Sequence, residues 1–161
     1  MSKAVTIADI YPVIEEKFHA GGSVTLMASG ISMLPMLRHQ LDTVVLGPVT
    51  GPLSINDVVL YRRQNGEFVL HRIVGLESNG DYVLCGDNQF VLEHHIGYWQ
   101  MIGRLQAFTR KGRFITNNSL SYKAYICLLP ALRLLKHVHS FSWRYMSTIK
   151  HWGRHRANGN R

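Results

Sequence analysis

Three observations predict a mainly β, antiparallel fold for this chain. Between residues 23 and 115, short apolar runs rich in Val, Ile, Leu and aromatics are separated by turn residues. Asn65-Gly66 and Asn79-Gly80 each fall between two such runs, the strongest short-range hairpin signal, and Lys111-Gly112 is a weaker third case. With 161 residues, 46% hydrophobic and 17% charged, the chain has the size and composition of one globular domain and needs neither metal nor disulfides to fold.

The elements follow in chain order. Ile7, Ile10, Tyr11, Ile14 and Phe18 recur at three- and four-residue spacing, an apolar helical stripe. Asp9 is the expected cap, which leaves Pro12 in the first turn, and Gly21-Gly22 ends the helix, so residues 1–22 form an N-terminal helical segment. Strands are expected over Val24–Ala28, Thr43–Leu46, Asp57–Arg62, Phe68–Val74, Tyr82–Cys85, Gly103–Thr109 and Arg113–Ile115, an antiparallel meander within a core of residues 23–118. Residues 119–161 carry Tyr122, Tyr125, Leu128, Leu129, Leu132, Leu135, Val138, Phe141, Trp143 and Trp152 among seven or more bases, the pattern of a basic, amphipathic helical tail. Its longest uncharged piece, Ala124–Leu132, is too short to span a bilayer and contains Pro130.

Charge is distributed unevenly. Residues 1–93 hold all ten acids and six Lys or Arg, a net of −4, whereas residues 94–161 hold no acid and twelve Lys or Arg, a net of +12. A core does not require that split, so the tail is expected to meet an anionic membrane surface; nucleic acid fits less well, because the bases are mixed with large apolar residues and no reader motif is present. Lys3, Asp9, Glu15, Glu16 and Lys17 interrupt the first stretch and exclude a secretory leader there. Gly21, Gly22, Gly30 and Pro35 spoil the uncharged run from Phe18 to Leu37 as a membrane helix. The expectation is a cytoplasmic protein, peripheral at the membrane, without an N-terminal signal or transmembrane anchor. Cys85 and Cys127 form no disulfide framework and match no zinc-ligand spacing.

Candidate chemistry lies in three segments. Ser29-Gly30-Ile31-Ser32-Met33-Leu34-Pro35-Met36-Leu37 follows a strand and presents a hydroxyl on a tight turn. A serine hydroxyl needs a base within hydrogen-bond reach to act as a nucleophile. Phe68–Val74 supplies His71 inside an apolar strand, and Cys85-Gly86-Asp87-Asn88 supplies a carboxylate at the end of the next. A metal site from Cys85, Asp87, His94, His95 and His71 is not expected, since neighbouring His94 and His95 on a strand point to opposite faces. No cofactor is expected. Asp57 has the position of a structural turn acid, and Met33, Leu34, Met36 and Leu37 are expected to pack, with a secondary part in lining a cleft.

These segments resemble, in order, the motifs of the signal peptidase I superfamily of membrane-associated serine endopeptidases. Ser32-Met33-Leu34-Pro35-Met36-Leu37 matches the Ser-Met-x-Pro-x-Leu pattern, followed by Asp57-Val58-Val59-Leu60-Tyr61, His71-Arg72-Ile73-Val74-Gly75 and Gly86-Asp87-Asn88. The resemblance covers residues 23 to 108, about half the chain. It implies the coiled antiparallel sheet that this family shares with self-cleaving repressors, and cleavage of a leader or signal peptide within a peptide or preprotein added as a strand beside the cleft. Ser32 is then the nucleophile. The bacterial housekeeping branch has a lysine where His71 stands, so the chain resembles the histidine branch of the endoplasmic reticulum and archaea. In that branch Asp87 is the orienting acid, and a second acid six residues on, usually Asp, corresponds to Glu93. Gly30 occupies the place of a serine that helps bind the oxyanion in many bacterial relatives, leaving that work to backbone N–H groups such as those of Ser32 and Ile31. The family's anchor before the serine is not expected in this chain.

A histidine with an ordinary pKa near 6.5 is largely neutral at pH 7, so it serves as a base without the burial a lysine requires. A two-residue turn at Asn79-Gly80 pairs His71 with Asn88 and leaves Asp87 beside it on the wrong face. A bulge at Gly86 would turn Asp87 back; unbroken pairing would pass the acid role to Glu93 or to none. Two other readings compete. A self-cleaving repressor-type peptidase cuts an Ala-Gly bond, but Ala20-Gly21 lies only eleven residues before Ser32, and such proteins use a lysine base. A non-enzymatic membrane- or nucleic-acid-binding module on a protease-like core would be marked by a lost catalytic residue.

Overall fold

The computed structural model describes residues 6–135, which divide into two compact units, the first ending at Ala124. The fold is mainly β: one antiparallel sheet of eight strands follows an N-terminal helix, and residues 120–135 are helical. Residues 136–161 of the expected basic tail lie outside the described residues. Among the described residues no helix is long and apolar enough to cross a membrane.

Helix α1 spans Ile7–His19 and starts one turn earlier than Asp9 as cap would set it. Thr6 is the N-cap and Asp9 its reciprocal partner: the Asp9 N–H donates to the Thr6 hydroxyl, and the Thr6 N–H donates to the Asp9 carboxylate at 2.8 Å. Pro12 therefore sits inside the helix, beyond the first turn. Gly21 ends it at φ +71°, with the Gly21 N–H bonded to Phe18 O and the Gly22 N–H to Lys17 O, both at 2.9 Å. Ile14 is buried.

The strands are β1 (Val24–Met27), β2 (Thr43–Pro48), β3 (Val58–Arg62), β4 (Phe68–Leu76), β5 (Tyr82–Cys85), β6 (Glu93–Ile96), β7 (Met101–Arg110) and β8 (Arg113–Thr116). From β3 to β5 they form the expected meander, which β6 extends. β7 departs from it by inserting between β2 and β3, and β8 pairs with the remaining length of β7. β6, with two histidines and a glutamate in four residues, has no apolar run by which to recognise it.

Both Asn-Gly hairpins are present, with three-residue rather than two-residue loops. The Arg63 N–H donates to Glu67 O, and the Glu77 N–H to Asp81 O, each at 2.8 Å, leaving Gly66 and Gly80 at φ +89° and +88°. Lys111-Gly112 is the true two-residue turn, both residues at positive φ between paired Arg110 and Arg113.

Strand alternation sorts the side chains. Val59, Tyr61, Ile73, Leu84 and Ile96 share one cluster with Leu53 and Tyr82, each contributing roughly 1.5–3 kcal/mol of burial if aliphatic or aromatic. Val58 and Leu60, pointing the other way, are buried too, so β3 reads as a continuous apolar run.

Candidate active site

Ser32 lies in the 28–42 loop between β1 and β2. Backbone bonds from Ala28 N–H to Asp42 O (2.9 Å) and from Gln40 N–H to Ala28 O (2.8 Å) close that loop. Asp42, wholly buried, accepts from the Arg38 guanidinium and backbone N–H and from Arg110. Arg38 outweighs burial there and holds the Asp42 carboxyl down to about 2. Met33, Met36 and Leu37 anchor the loop in the core, as their sequence pattern predicts, and Leu34–Pro35 is a cis peptide. At the loop's tip the Gly30 N–H donates to His39 Nδ1 at 2.9 Å.

Ser32 is half-buried and packs on the segment after β5. The Asn88 N–H donates to Ser32 O at 2.7 Å, and the Asn88 amide donates to Ile31 O at 3.1 Å. A Cβ on Gly86 would stand 2.7 Å from Ser32 O and 3.0 Å from Ser32 Cβ, so only glycine allows this approach. Among the described residues the Ser32 hydroxyl, and the N–H groups of Ile31 and Ser32, make no hydrogen bond.

β4 carries His71 into this region. The β4–β5 register ends at Arg72 opposite Cys85, and continuing it by one residue sets Gly86 against His71. The Ser32 loop thus rests on the residue that faces the histidine, although no hydrogen bond joins Ser32 to His71.

The expected partner of His71 is corrected here. Asp87 is bound instead by Arg72, whose Nε and NH2 donate to its two oxygens at 2.8 and 2.7 Å. The register explains the exchange. The three-residue hairpin loop moves the pairing by one residue and an irregularity between Ile73 and Gly75 by one more, a shift of two that leaves the faces unchanged, and the irregularity lies on β4 rather than at Gly86, where it would have turned Asp87 back. Asp87 then follows Cys85 by two residues and shares its face with Arg72.

The acid beside His71 is Glu93. Its Oε1 lies 3.0 Å from His71 Nδ1, and the Tyr61 hydroxyl is 3.3 Å from the same nitrogen. All three belong to one face, since Val59 pairs with His71, Tyr61 follows Val59 by two, and Glu93 pairs with Leu84, the partner of Ile73. Arg63 completes the group: its Nε donates to Glu93 Oε2 at 2.8 Å and its NH2 to Oε1 at 2.6 Å. Burial lowers the His71 pKa, with Glu93 opposing and Arg63 reinforcing the shift. Burial alone would raise Glu93, but the bonds from Arg63 and Tyr61 bring it below the ordinary carboxylate value. Burial, then Glu93, pushes the Tyr61 hydroxyl up, so it stays protonated. His71 Nε2 makes no hydrogen bond among the described residues.

Tyr61, Arg63 and Asn88 were not separable by sequence reasoning. The available signal was alternation from Val59 through Tyr61 to Arg63, and it acquires meaning only with the β3–β4 register.

Asp57 has the expected structural role, accepting from the Ser54 N–H and pairing with Arg104 at 2.9 Å. His94 and His95 do not diverge: His95 adopts φ +59°, and both rings meet Glu77, at 2.9 and 2.6 Å. Glu77, Asp81 and His95 are therefore the described residues that could hold a metal ion, their ligand atoms lying within 4.8 Å of one another. The five residues considered from sequence do not converge in this way. Cys85 is buried and Cys127 exposed.

Comparison of the chain with protein families, with curated proteins and with solved structures found no match.

Proposed function

We propose that this protein is a serine endopeptidase resembling the histidine branch of signal peptidase I, with Ser32 as nucleophile, His71 as base and Glu93 as the acid that orients it. The observation that carries this reading is the contact of Glu93 Oε1 with a fully buried His71 at Nδ1, opposite a glycine against which Ser32 packs. An acid on Nδ1 favours the tautomer whose lone pair is on Nε2, the nitrogen that makes no hydrogen bond among the described residues. The sheet, taken in the finer sense, is the signal peptidase-like coiled core.

Ser32 Oγ bonds to the scissile carbonyl carbon while its proton passes to His71 Nε2. The oxyanion accepts from the unused N–H groups of Ser32 and Ile31. When the tetrahedral intermediate collapses, the C–N bond breaks and the amine departs with the proton held on Nε2. Water, giving its proton to His71, then releases the acyl group and regenerates Ser32. Among the described residues β1 pairs only with β2, and its outer edge runs directly into the Ser32 loop. An extended leader or signal peptide adds to that edge as a strand. The basic C-terminal segment brings the enzyme to an anionic membrane surface; exposed Leu128, Leu134 and Leu135 on the 120–135 helix support apolar insertion alongside the charge. The reaction uses no cofactor, and its setting is the cytoplasmic face of the membrane.

The test is cleavage of a panel of leader and signal peptides, with lipid present, by the wild type and Ser32→Ala. Products formed by the wild type alone support the assignment. Equal cleavage by both sinks Ser32 as the nucleophile, and cleavage by neither moves the weight to a binding module on a protease-like core.

A further inference from the structure

We infer that Arg63 is a positioning residue, which holds the Glu93 carboxylate in line with His71 Nδ1; the inference rests on the reading of His71 as the base and adds a fourth member to its site. Apart from His71 and the Tyr61 hydroxyl, a glutamate on β6 has little else to fix it. β6 is four residues long, its pairing to β5 is irregular between Tyr82 and Leu84, and the 86–92 segment before it ends in exposed Val91 and Leu92. The Glu93 side chain is 19% exposed, so solvent competes for it.

Arg63 removes that freedom. A guanidinium donates two parallel bonds, and here Nε takes Oε2 while NH2 takes Oε1, which sets the plane of the carboxylate as well as its distance. Oε1 then serves two neighbours, Arg63 NH2 at 2.6 Å and His71 Nδ1 at 3.0 Å. Arg63 is itself held at both ends: its backbone closes the β3–β4 hairpin onto Glu67, and its NH1 meets the Glu67 carboxylate at 2.8 Å. The hairpin therefore determines where the acid of the site sits.

The charged and titratable groups around His71 are Glu93 on β6, Arg63 at the end of β3, Tyr61 within β3 and, more remotely, Asp87 after β5. Glu93 and Asp87 favour the imidazolium; Arg63 and burial oppose it. Arg63 thus has two separable effects, one on the tautomer through Glu93 geometry and one on basicity through its charge.

The full-length protein is labelled with ¹⁵N-histidine, His71 is assigned by its loss in His71→Asn, and its neutral tautomer and titration midpoint are followed in the wild type, Arg63→Gln and Arg63→Lys. Arg63 is one-third exposed, so both variants are expected to fold. The wild type should hold the proton on Nδ1. Arg63→Gln should mix the tautomers and raise the midpoint by about one pH unit, because the opposing cation is gone. Arg63→Lys keeps the charge without the fork, so the midpoint should stay near the wild-type value while the tautomers still mix. An unchanged tautomer in both variants overturns the positioning role, even if the midpoint moves. In cleavage assays Arg63→Gln should lower kcat about tenfold with KM unchanged. A protein that cleaves nothing sinks the peptidase reading but leaves the tautomer result to decide Arg63 by itself.

Discussion

Arg72 and Asp87 form a two-point ion pair with their side chains 1% and 0% exposed. The pair is part of a larger buried group: Arg72 also donates to the Tyr122 hydroxyl at 2.9 Å, to Asn56 O at 2.8 Å and to Met36 Sδ. It ties the strand that carries His71 to the loop that carries Ser32, without touching either catalytic group.

Asp87 and Glu93 should therefore fail differently. Asp87→Asn strands a buried guanidinium and should cost about 3–5 kcal/mol of stability in urea unfolding. Glu93→Gln, whose partner Arg63 is one-third exposed, should leave the fold close to wild type while depressing kcat and disturbing its pH dependence. Stability lost in Glu93→Gln but not in Asp87→Asn would reverse the assignment.

Burial lowers the His71 pKa, and the sign fixes the direction of its pH effects. The unfolded chain takes up the proton first, at about pH 6.5. His71 thus adds no pH dependence well above that value, and stability declines as pH falls from there to the lower folded-state midpoint. The acid limb of cleavage should likewise lie below about pH 6.5. His71→Asn should remove its share of the stability loss, which urea midpoints between pH 5 and 8 would measure.

Gly86 is tested by adding one carbon. Gly86→Ala sets a Cβ 2.7 Å from Ser32 O and 2.8 Å from Gln89 Oε1, and the Ser32 backbone has no flexible end to move aside. The variant should lose about 1–3 kcal/mol of stability. It should also displace the Ser32 loop, so cleavage should fall by more than its stability loss explains; full activity would show that the loop need not rest on Gly86.

Asp42 is the acid-sensitive clamp of the same loop. Arg38 holds its carboxyl at about 2 against an ordinary 3.8, so its stabilisation is complete above pH 3.8 and lost as pH falls toward 2. Asp42→Asn should abolish that component and cost about 2 kcal/mol at neutral pH by leaving weaker partners for Arg38 and Arg110. Unfolding curves between pH 2 and 5 for both proteins check this.

Seven of the eight strands were legible because each has a run of Val, Ile, Leu or aromatic residues bounded by turn residues. β6 was not, because Glu93, His94 and His95 interact with Arg63, His71 and Glu77 rather than with the core. Sequence alone does not separate Thr6 from Asp9 as N-cap, since both members of a reciprocal cap are themselves capping residues. The position of β7 was hidden because the residues it pairs with on β2 and β3 are forty or more positions away in the chain.

The sequence by itself determined which residue types are available and roughly where they fall: a serine on a glycine-flanked turn, a histidine within an apolar strand, and two acids after the next strand. These are local properties of composition and spacing. Only the tertiary structure decided which acid meets the histidine. A hairpin loop one residue longer and one irregularity in β4 together shift the register by two, which keeps Asp87 on the Arg72 face because the irregularity is not at Gly86, and register governs which side chains share a face. Asp87 was thereby directed to Arg72, and Glu93, brought back by an inconspicuous strand, to His71.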